Sequence, residues 1–123
     1  CITNLGRVGR SQVAGCYAAA SALFMPTLVE SFGLIYMEAM SHGCPILTSA
    51  RDFAKWICGD MAYYFDPLDP LSIVDTLEKF VKEGKDKEYK RIASQRLKEF
   101  PSSWKTVSRQ YVDMLRQIHS AQA

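Results

Sequence analysis

Pro26-Thr27-Leu28-Val29-Glu30-Ser31-Phe32-Gly33-Leu34-Ile35-Tyr36-Met37-Glu38-Ala39-Met40-Ser41-His42-Gly43-Cys44-Pro45 is the stretch whose reading decides the fold. Ahead of it, Leu23-Phe24-Met25 is a short apolar run closed by Pro26, the pattern of a buried strand leaving into a loop. Behind it, Pro45-Ile46-Leu47-Thr48 is a second such run. Between them, residues 33–41 are helix formers; Gly43 stands where a helix stops, and Pro45 bars its continuation. Strand, loop, helix and strand, in a chain that goes on alternating, make an α/β fold: a parallel sheet with flanking helices. Ligands of such sheets bind beyond the carboxyl ends of the strands.

The loop over 27–32 lies at that edge. Ser31 is placed to cap the helix, but the third helical position is Leu34 and not Glu or Gln, so no side chain completes a capping box. Backbone N–H groups from Gly33 onward are then free, and together with the positive end of the helix dipole they form a site for phosphate. Gly33 lets an anion come close to the backbone. Glu30 in the loop and Glu38 inside the helix flank this site, separated by roughly 8–10 Å of helical rise, too far to share a proton or a metal ion. Carboxylates accept hydrogen bonds, and hydroxyls donate to them without repulsion. The pattern fits a molecule with hydroxyls at both ends and phosphate between, the shape of a nucleotide-activated sugar. The alternative for both acids is structural: Glu30 a solvated loop residue, Glu38 a helix carboxylate paired to a distant cation. Because Leu34, Ile35, Met37, Ala39 and Met40 surround Glu38 on a helix apolar nearly all round, Glu38 is expected to be buried, and a buried carboxylate needs a partner.

Composition bounds the rest. The 123 residues, 48% hydrophobic, suffice for one compact core, so residues 1–123 are read as a single domain. A net charge of +2 from 15 basic and 13 acidic residues is too balanced to point to nucleic acid. Cys1, Cys16, Cys44 and Cys58 form no C-x-x-C pair and have no His at ligand spacing; they read as free, buried thiols of a reducing, cytoplasmic setting, with no metal site. No apolar run reaches membrane-spanning length, and no basic-then-apolar leader opens the chain. Cys1 opens the chain inside an apolar run, so the chain is read as a fragment of a longer protein.

Taken in order, residues 1–5 read as a strand and residues 6–9 as its turn. Ser11 is placed to cap a helix to Ala20 whose Val13, Tyr17 and Ala20 share a packing face, with Cys16 filling space there. His42 reads as a cation at a helix end, and the hydroxyls of Thr48 and Ser49 fall at the sheet's carboxyl edge, where turn chemistry explains them equally well. Asp52 is placed to cap a short helix to Ile57; residues 61–65 read as a strand with aromatics on both faces, and residues 66–70 as a rigid turn. The helix from Leu71 to Gly84 sets Ile73, Leu77, Phe80 and Val81 at core spacing. Residues 85–99 carry mixed charges around a stripe of Tyr89, Ile92, Ala93 and Leu97, which reads as a solvated helix. After Pro101, Ser102 or Ser103 caps a last helix whose apolar face is Trp104, Val107, Tyr111, Met114 or Leu115, and Ile118.

The Glu30-x7-Glu38 pair, set in Glu30-Ser31-Phe32-Gly33-Leu34 and Glu38-Ala39-Met40 with Gly43 and Pro45 behind, resembles the E-x7-E signature of retaining glycosyltransferases with two Rossmann-like domains, the GT-B fold. Leu5-Gly6-Arg7-Val8, Cys16-Tyr17 and Ala19-Ala20 resemble the strand and helix ahead of the motif in that family. Thr48-Ser49, Cys58-Gly59-Asp60 and Tyr64-Phe65-Asp66-Pro67-Leu68-Asp69-Pro70 resemble the family's segments behind it, and Ser103-Trp104 resembles the family's terminal helix, which crosses back to the amino-terminal domain. The resemblance implies the carboxy-terminal part of a nucleotide-sugar-binding domain, with the amino-terminal acceptor domain absent. It implies a hexose donor activated as a nucleoside diphosphate sugar, a glycan or lipid-linked acceptor, retention, no metal or other cofactor, and a cytoplasmic location with peripheral membrane association through the absent domain. It implies that Val8 borders the base, that Ser31, Phe32, Gly33 and Leu34 bind the donor, with the amides of the last three on its diphosphate, that Glu38 accepts from the ribose hydroxyls, and that Glu30, as catalytic residue, contacts the transferred sugar or stabilises charge near it. The family's upstream Arg and Lys, which neutralise diphosphate, match no segment here, so this chain alone is expected to be inactive. The alternatives are a sugar-nucleotide epimerase of the same architecture, for which no acid and base are evident, and a non-catalytic module that binds a nucleotide or a partner.

Overall fold

The computed structural model describes residues 2–84 and 88–121. Its elements are α1 (Arg10–Ala19), β1 (Leu23–Met25), α2 (Leu34–Ser41), β2 (Ile46–Ser49), α3 (Asp52–Cys58), a 3-10 turn (Gly59–Met61), β3 (Ala62–Phe65), α4 (Pro70–Glu83), α5 (Tyr89–Leu97) and α6 (Trp104–Ala121). The three strands form one parallel sheet in the order β1-β2-β3, with Leu23 opposite Ile46 and Ile46 opposite Ala62. Each pair is joined through a helix, as parallel pairing requires.

All four residues of β2, the central strand, are buried, and their alternation divides them between two cores. On one face Ile46 packs with Tyr36, Ala39 and Met40 of α2, Ala54, Ile57 and Cys58 of α3, and Tyr89 and Ala93 of α5. On the other, Leu47 and Phe65 meet Phe80 of α4, with Tyr63 and Ile73 against them. The aromatics of β3 therefore do divide between faces: Tyr64 joins the first core and Tyr63 and Phe65 the second. Arg96 ties α5 to the end of α3, its Nε donating to the Ile57 carbonyl at 3.0 Å and its Nη2 to that of Trp56. A cation on the last carbonyls of a helix satisfies acceptors that have no partner within it.

Helix ends follow local chemistry. Asp69 caps α4 by accepting from the Leu71 amide at 3.0 Å, with Pro70 in the first turn. Gly43, at φ 63°, ends α2: its amide reaches the Met40 carbonyl at 3.0 Å and the Cys44 amide that of Ala39 at 2.9 Å, a Schellman motif. Ser103 Oγ accepts from the Thr106 amide at 3.2 Å, which makes Ser103 the cap of α6.

Several sequence expectations are corrected. Residues 2–5 form no strand, and Ile2 and Leu5 are exposed; no strand among the described residues pairs with them, and an isolated extended segment has nothing to hold it. Cys1 and residues 85–87, among them Lys85, Asp86 and Lys87, lie outside the described residues. Ser11 does not cap α1; Gly9 is the N-cap, its amide held by Gln12 Oε1 at 3.1 Å. Asp52 is the first residue of α3, where its charge complements the dipole, and Arg51 is the N-cap. Cys16 is exposed, on a helix with no fully buried residue that touches the core only through Tyr17 and Ala20 at its end. In α4 only Phe80 is buried; Leu77 and Val81 point partly or wholly outward, since the sheet beneath is three strands wide. Along α6 every described position but Val107 is exposed, including Trp104, Tyr111, Met114, Leu115 and Ile118.

Candidate functional site

Residues 26–33 leave the carboxyl end of β1 and turn into α2. Gly33 makes that turn: it sits at φ 71°, ψ 38°, in the left-handed region, and is the N-cap of α2 without any side-chain cap. It is also buried, and a Cβ there would stand 2.7 Å from both Ile57 Cδ1 and Tyr36 Cδ2. Glycine is thus required twice, by conformation and by close packing. The Tyr36 amide bonds the Gly33 carbonyl at 3.0 Å, while the amides of Phe32, Gly33, Leu34 and Ile35 have no protein acceptor among the described residues. Donors left open at a helix start, with the dipole behind them, favour an anion. Phe32 and Leu34 stand exposed around them.

Ser31 does not cap α2, because the left-handed Gly33 takes the N-cap position. Its amide and hydroxyl serve Glu30 instead: Glu30 Oε1 accepts from Ser31 N at 2.8 Å and from Ser31 Oγ at 3.3 Å. Glu30 is half-buried. Below it runs a buried relay in which Tyr36 Oη lies 2.8 Å from Thr48 Oγ1, and Thr48 Oγ1 donates to the Met25 carbonyl at 3.0 Å, so the phenol donates to the threonine. Burial raises the Tyr36 pKa, the Thr48 hydrogen bond opposes that shift, and the nearby Glu30 carboxylate adds to it. The relay ties α2 to β1 and β2 directly under the loop. Thr48 is therefore structural; Ser49 Oγ is buried with no partner among the described residues.

Glu38 is exposed, which corrects the expected burial. Tyr36, Ala39 and Met40 pack into the core with α3, α5 and the sheet, and Glu38 lies with Leu34 on the strip of α2 left to solvent. Its Oε2 accepts from Tyr17 Oη at 3.2 Å, from α1, and its carbonyl receives His42 Nδ1 at 2.9 Å and Ser41 Oγ at 2.7 Å. His42 thus closes the helix end as expected, and its ring stacks on that of Tyr17 with centroids 5.5 Å apart. The pKa of Tyr17 is pushed up to about 12, first by burial and then by the charge of Glu38, so its phenol stays a donor. Sequence reading gave Tyr17 a packing role only; the signal it missed is a polar tip on an otherwise apolar face, whose partner lies 21 residues away. Val8 is half-buried in the irregular segment ahead of α1. Two clefts stand out elsewhere: one of about 360 Å³ along α6, and one of about 610 Å³ beside β3, α4 and α5. The loop and helix start form an open ledge. Among the described residues no group of three or more His, Cys, Asp or Glu is placed to hold a metal ion, and no helix is long and apolar enough to cross a membrane.

The sequence pattern of the glycosyl transferases group 1 family matches residues 2–98, and the chain belongs to that family. It is 31% identical over 117 residues to the O-antigen chain mannosyltransferase B of Escherichia coli, covering 91% of this chain and 29% of that protein. Over 43 residues it is 49% identical to the D-inositol 3-phosphate glycosyltransferase of Streptomyces coelicolor, covering 35% of this chain and 9% of that one. In three dimensions it resembles sucrose-phosphate synthase from Thermosynechococcus elongatus, with a TM-score of 0.75 at 21% identity over 97% of this chain and 30% of that one. The fold is therefore the Rossmann-like α/β arrangement of a GT-B glycosyltransferase, in part. The chain spans less than a third of the length of these relatives.

Proposed function

We propose that this chain is the carboxy-terminal part of the donor-binding domain of a retaining glycosyltransferase, which transfers a hexose from a nucleoside diphosphate sugar to a hydroxyl of a glycan or lipid-linked acceptor. The observation that carries the reading is the run of open amides at Phe32, Gly33 and Leu34, with an acid on each side. Membership of the group 1 family and the likeness to a mannosyltransferase support it.

In this reading the three amides and the dipole of α2 hold the diphosphate and stabilise the charge it gains as it leaves. Glu38 accepts from the ribose hydroxyls; with its burial gone, this rests on its place one turn inside α2 and on the E-x7-E spacing. Glu30 exchanges its bond to Ser31 for a contact with the transferred sugar, or stabilises charge beside it. Val8 borders the base. Catalysis is by position and electrostatics, without a metal ion. The cations that neutralise the rest of the diphosphate, and the acceptor site, are supplied by other parts of the protein, which also set any membrane association; residues 1–123 alone are inactive.

Titrating the full-length protein with UDP- and GDP-sugars, while following sugar transfer and any epimerised product, tests this. Binding with transfer supports the reading, an epimerised product replaces it with an epimerase, and binding without turnover replaces it with a non-catalytic module. Glu38→Ala is expected to weaken donor binding roughly tenfold or more, the worth of hydrogen bonds to a charged acceptor. Unchanged binding and transfer would remove Glu38 from the site.

A further inference from the structure

We propose that Tyr17 is the positioning residue for Glu38, and that through it α1 sets how tightly the protein grips the ribose of its donor. The inference rests on the reading of Glu38 as the ribose acceptor. Glu38 is an exposed glutamate on an exposed strip of helix, a side chain that ordinarily samples many rotamers. Here it does not stand alone. Tyr17 Oη donates to Oε2 at 3.2 Å, the nearer of two acceptors, with the Ile35 carbonyl at 3.5 Å, and the tyrosine is itself held from two further directions. Its ring packs against the core formed by α2, α3 and α5, and its face stacks on His42. His42 in turn is pinned by its Nδ1 to the carbonyl of Glu38 at 2.9 Å. Carboxylate, phenol, imidazole and carbonyl make a closed loop that begins and ends on one residue.

The chemistry of that loop suits a diol. A carboxylate offers about four acceptor positions on two oxygens, and Tyr17 occupies one of them on Oε2. Oε1 and the rest of Oε2 remain for the two vicinal hydroxyls of a ribose, approached from a fixed direction. The raised pKa of Tyr17 keeps the phenol protonated across the range in which such a protein works, so the tether persists. Nothing else donates to the Glu38 carboxylate among the described residues, so loss of the phenol would free the carboxylate to rotate while leaving its charge in place.

The test is calorimetric titration of the full-length protein and its Tyr17→Phe and Glu38→Gln variants with UDP, GDP and their 2′,3′-dideoxy analogues. Tyr17→Phe keeps the stack on His42 and removes only the phenol oxygen. It is expected to weaken binding of the ribose forms about three- to tenfold, leave the dideoxy forms unchanged, and leave the melting curve close to that of the parent. Equal weakening of both forms, or no weakening of either, would overturn the inference. The two layers separate cleanly. If Glu38→Gln loses the preference for ribose and Tyr17→Phe keeps it, the assignment of Glu38 stands and that of Tyr17 falls. If Glu38→Gln keeps the preference, the ribose reading itself falls, and the role of Tyr17 with it.

Discussion

Helices α2 and α6 are both rich in apolar residues, and the chain treats them in opposite ways. Tyr36, Ala39 and Met40 of α2 are wholly buried, whereas α6, the more sharply two-faced of the two, leaves Trp104, Tyr111, Leu115 and Ile118 in solvent. An apolar stripe declares that a helix needs a partner; it does not say that the partner lies in the same stretch of chain. The stability of the described fold should therefore be concentrated around Gly33 and β2 and be almost indifferent to α6.

Four measurements press on that contrast. Gly33→Val should have the largest effect, because it forces a branched side chain into the left-handed region and against Ile57 and Tyr36; a loss of about 3 kcal/mol or more in urea unfolding is expected, and a variant as stable as the parent would remove Gly33 from the centre of the structure. Thr48→Val keeps the shape but leaves Tyr36 Oη without its acceptor and the Met25 carbonyl without its donor; the expected cost is about 1–3 kcal/mol by the same assay.

Alkaline pH probes the same core. Burial raises the Cys58 thiol from 9.0 to about 12, with the charge of Arg96 opposing. The unfolded thiol ionises first, so the stabilising contribution is complete below pH 9.0 and is lost as pH climbs toward 12. Between pH 8 and pH 10 the loss should be about 1 kcal/mol, and Cys58→Ala should flatten that part of the stability profile. A parallel slope in both proteins would show the thiol to be irrelevant. The smallest change is expected at the other pole of the comparison: Trp104→Ala in residues 1–123 should shift stability by no more than about 0.5 kcal/mol, as for an exposed side chain. A loss several times larger would mean that α6 is docked after all.

Much of this could be read from residue order. Leu23-Phe24-Met25 and Ile46-Leu47-Thr48, punctuated by Pro26 and Pro45, gave two strands; Gly43 and Gly84 gave two helix ends; the rigid turn over 66–70 gave the approach to α4. These are local effects, set by φ preference, missing donors and capping within a few residues. The errors share a different origin. Ser31 and Ser11 were eligible caps, but glycines took both positions, and the competition was settled by how the chain enters each helix. Glu38 looked buried because its neighbours are apolar, yet its strip of α2 meets only Tyr17 of α1 and solvent. Residues 2–5 have strand composition and no strand beside them.

At the candidate site the same division holds. The sequence by itself determined that a helix would follow Leu23-Phe24-Met25, with acids eight positions apart at 30 and 38, because these features depend on spacing alone. Only the tertiary structure decided that Glu30 rests on Ser31, that Glu38 is tethered by Tyr17, and that Tyr36 is anchored through Thr48 to β1. The three hydrogen bonds of Tyr17 and Thr48 join residues 12 to 23 positions apart, and such pairs become neighbours only when burial of apolar surface brings their elements together.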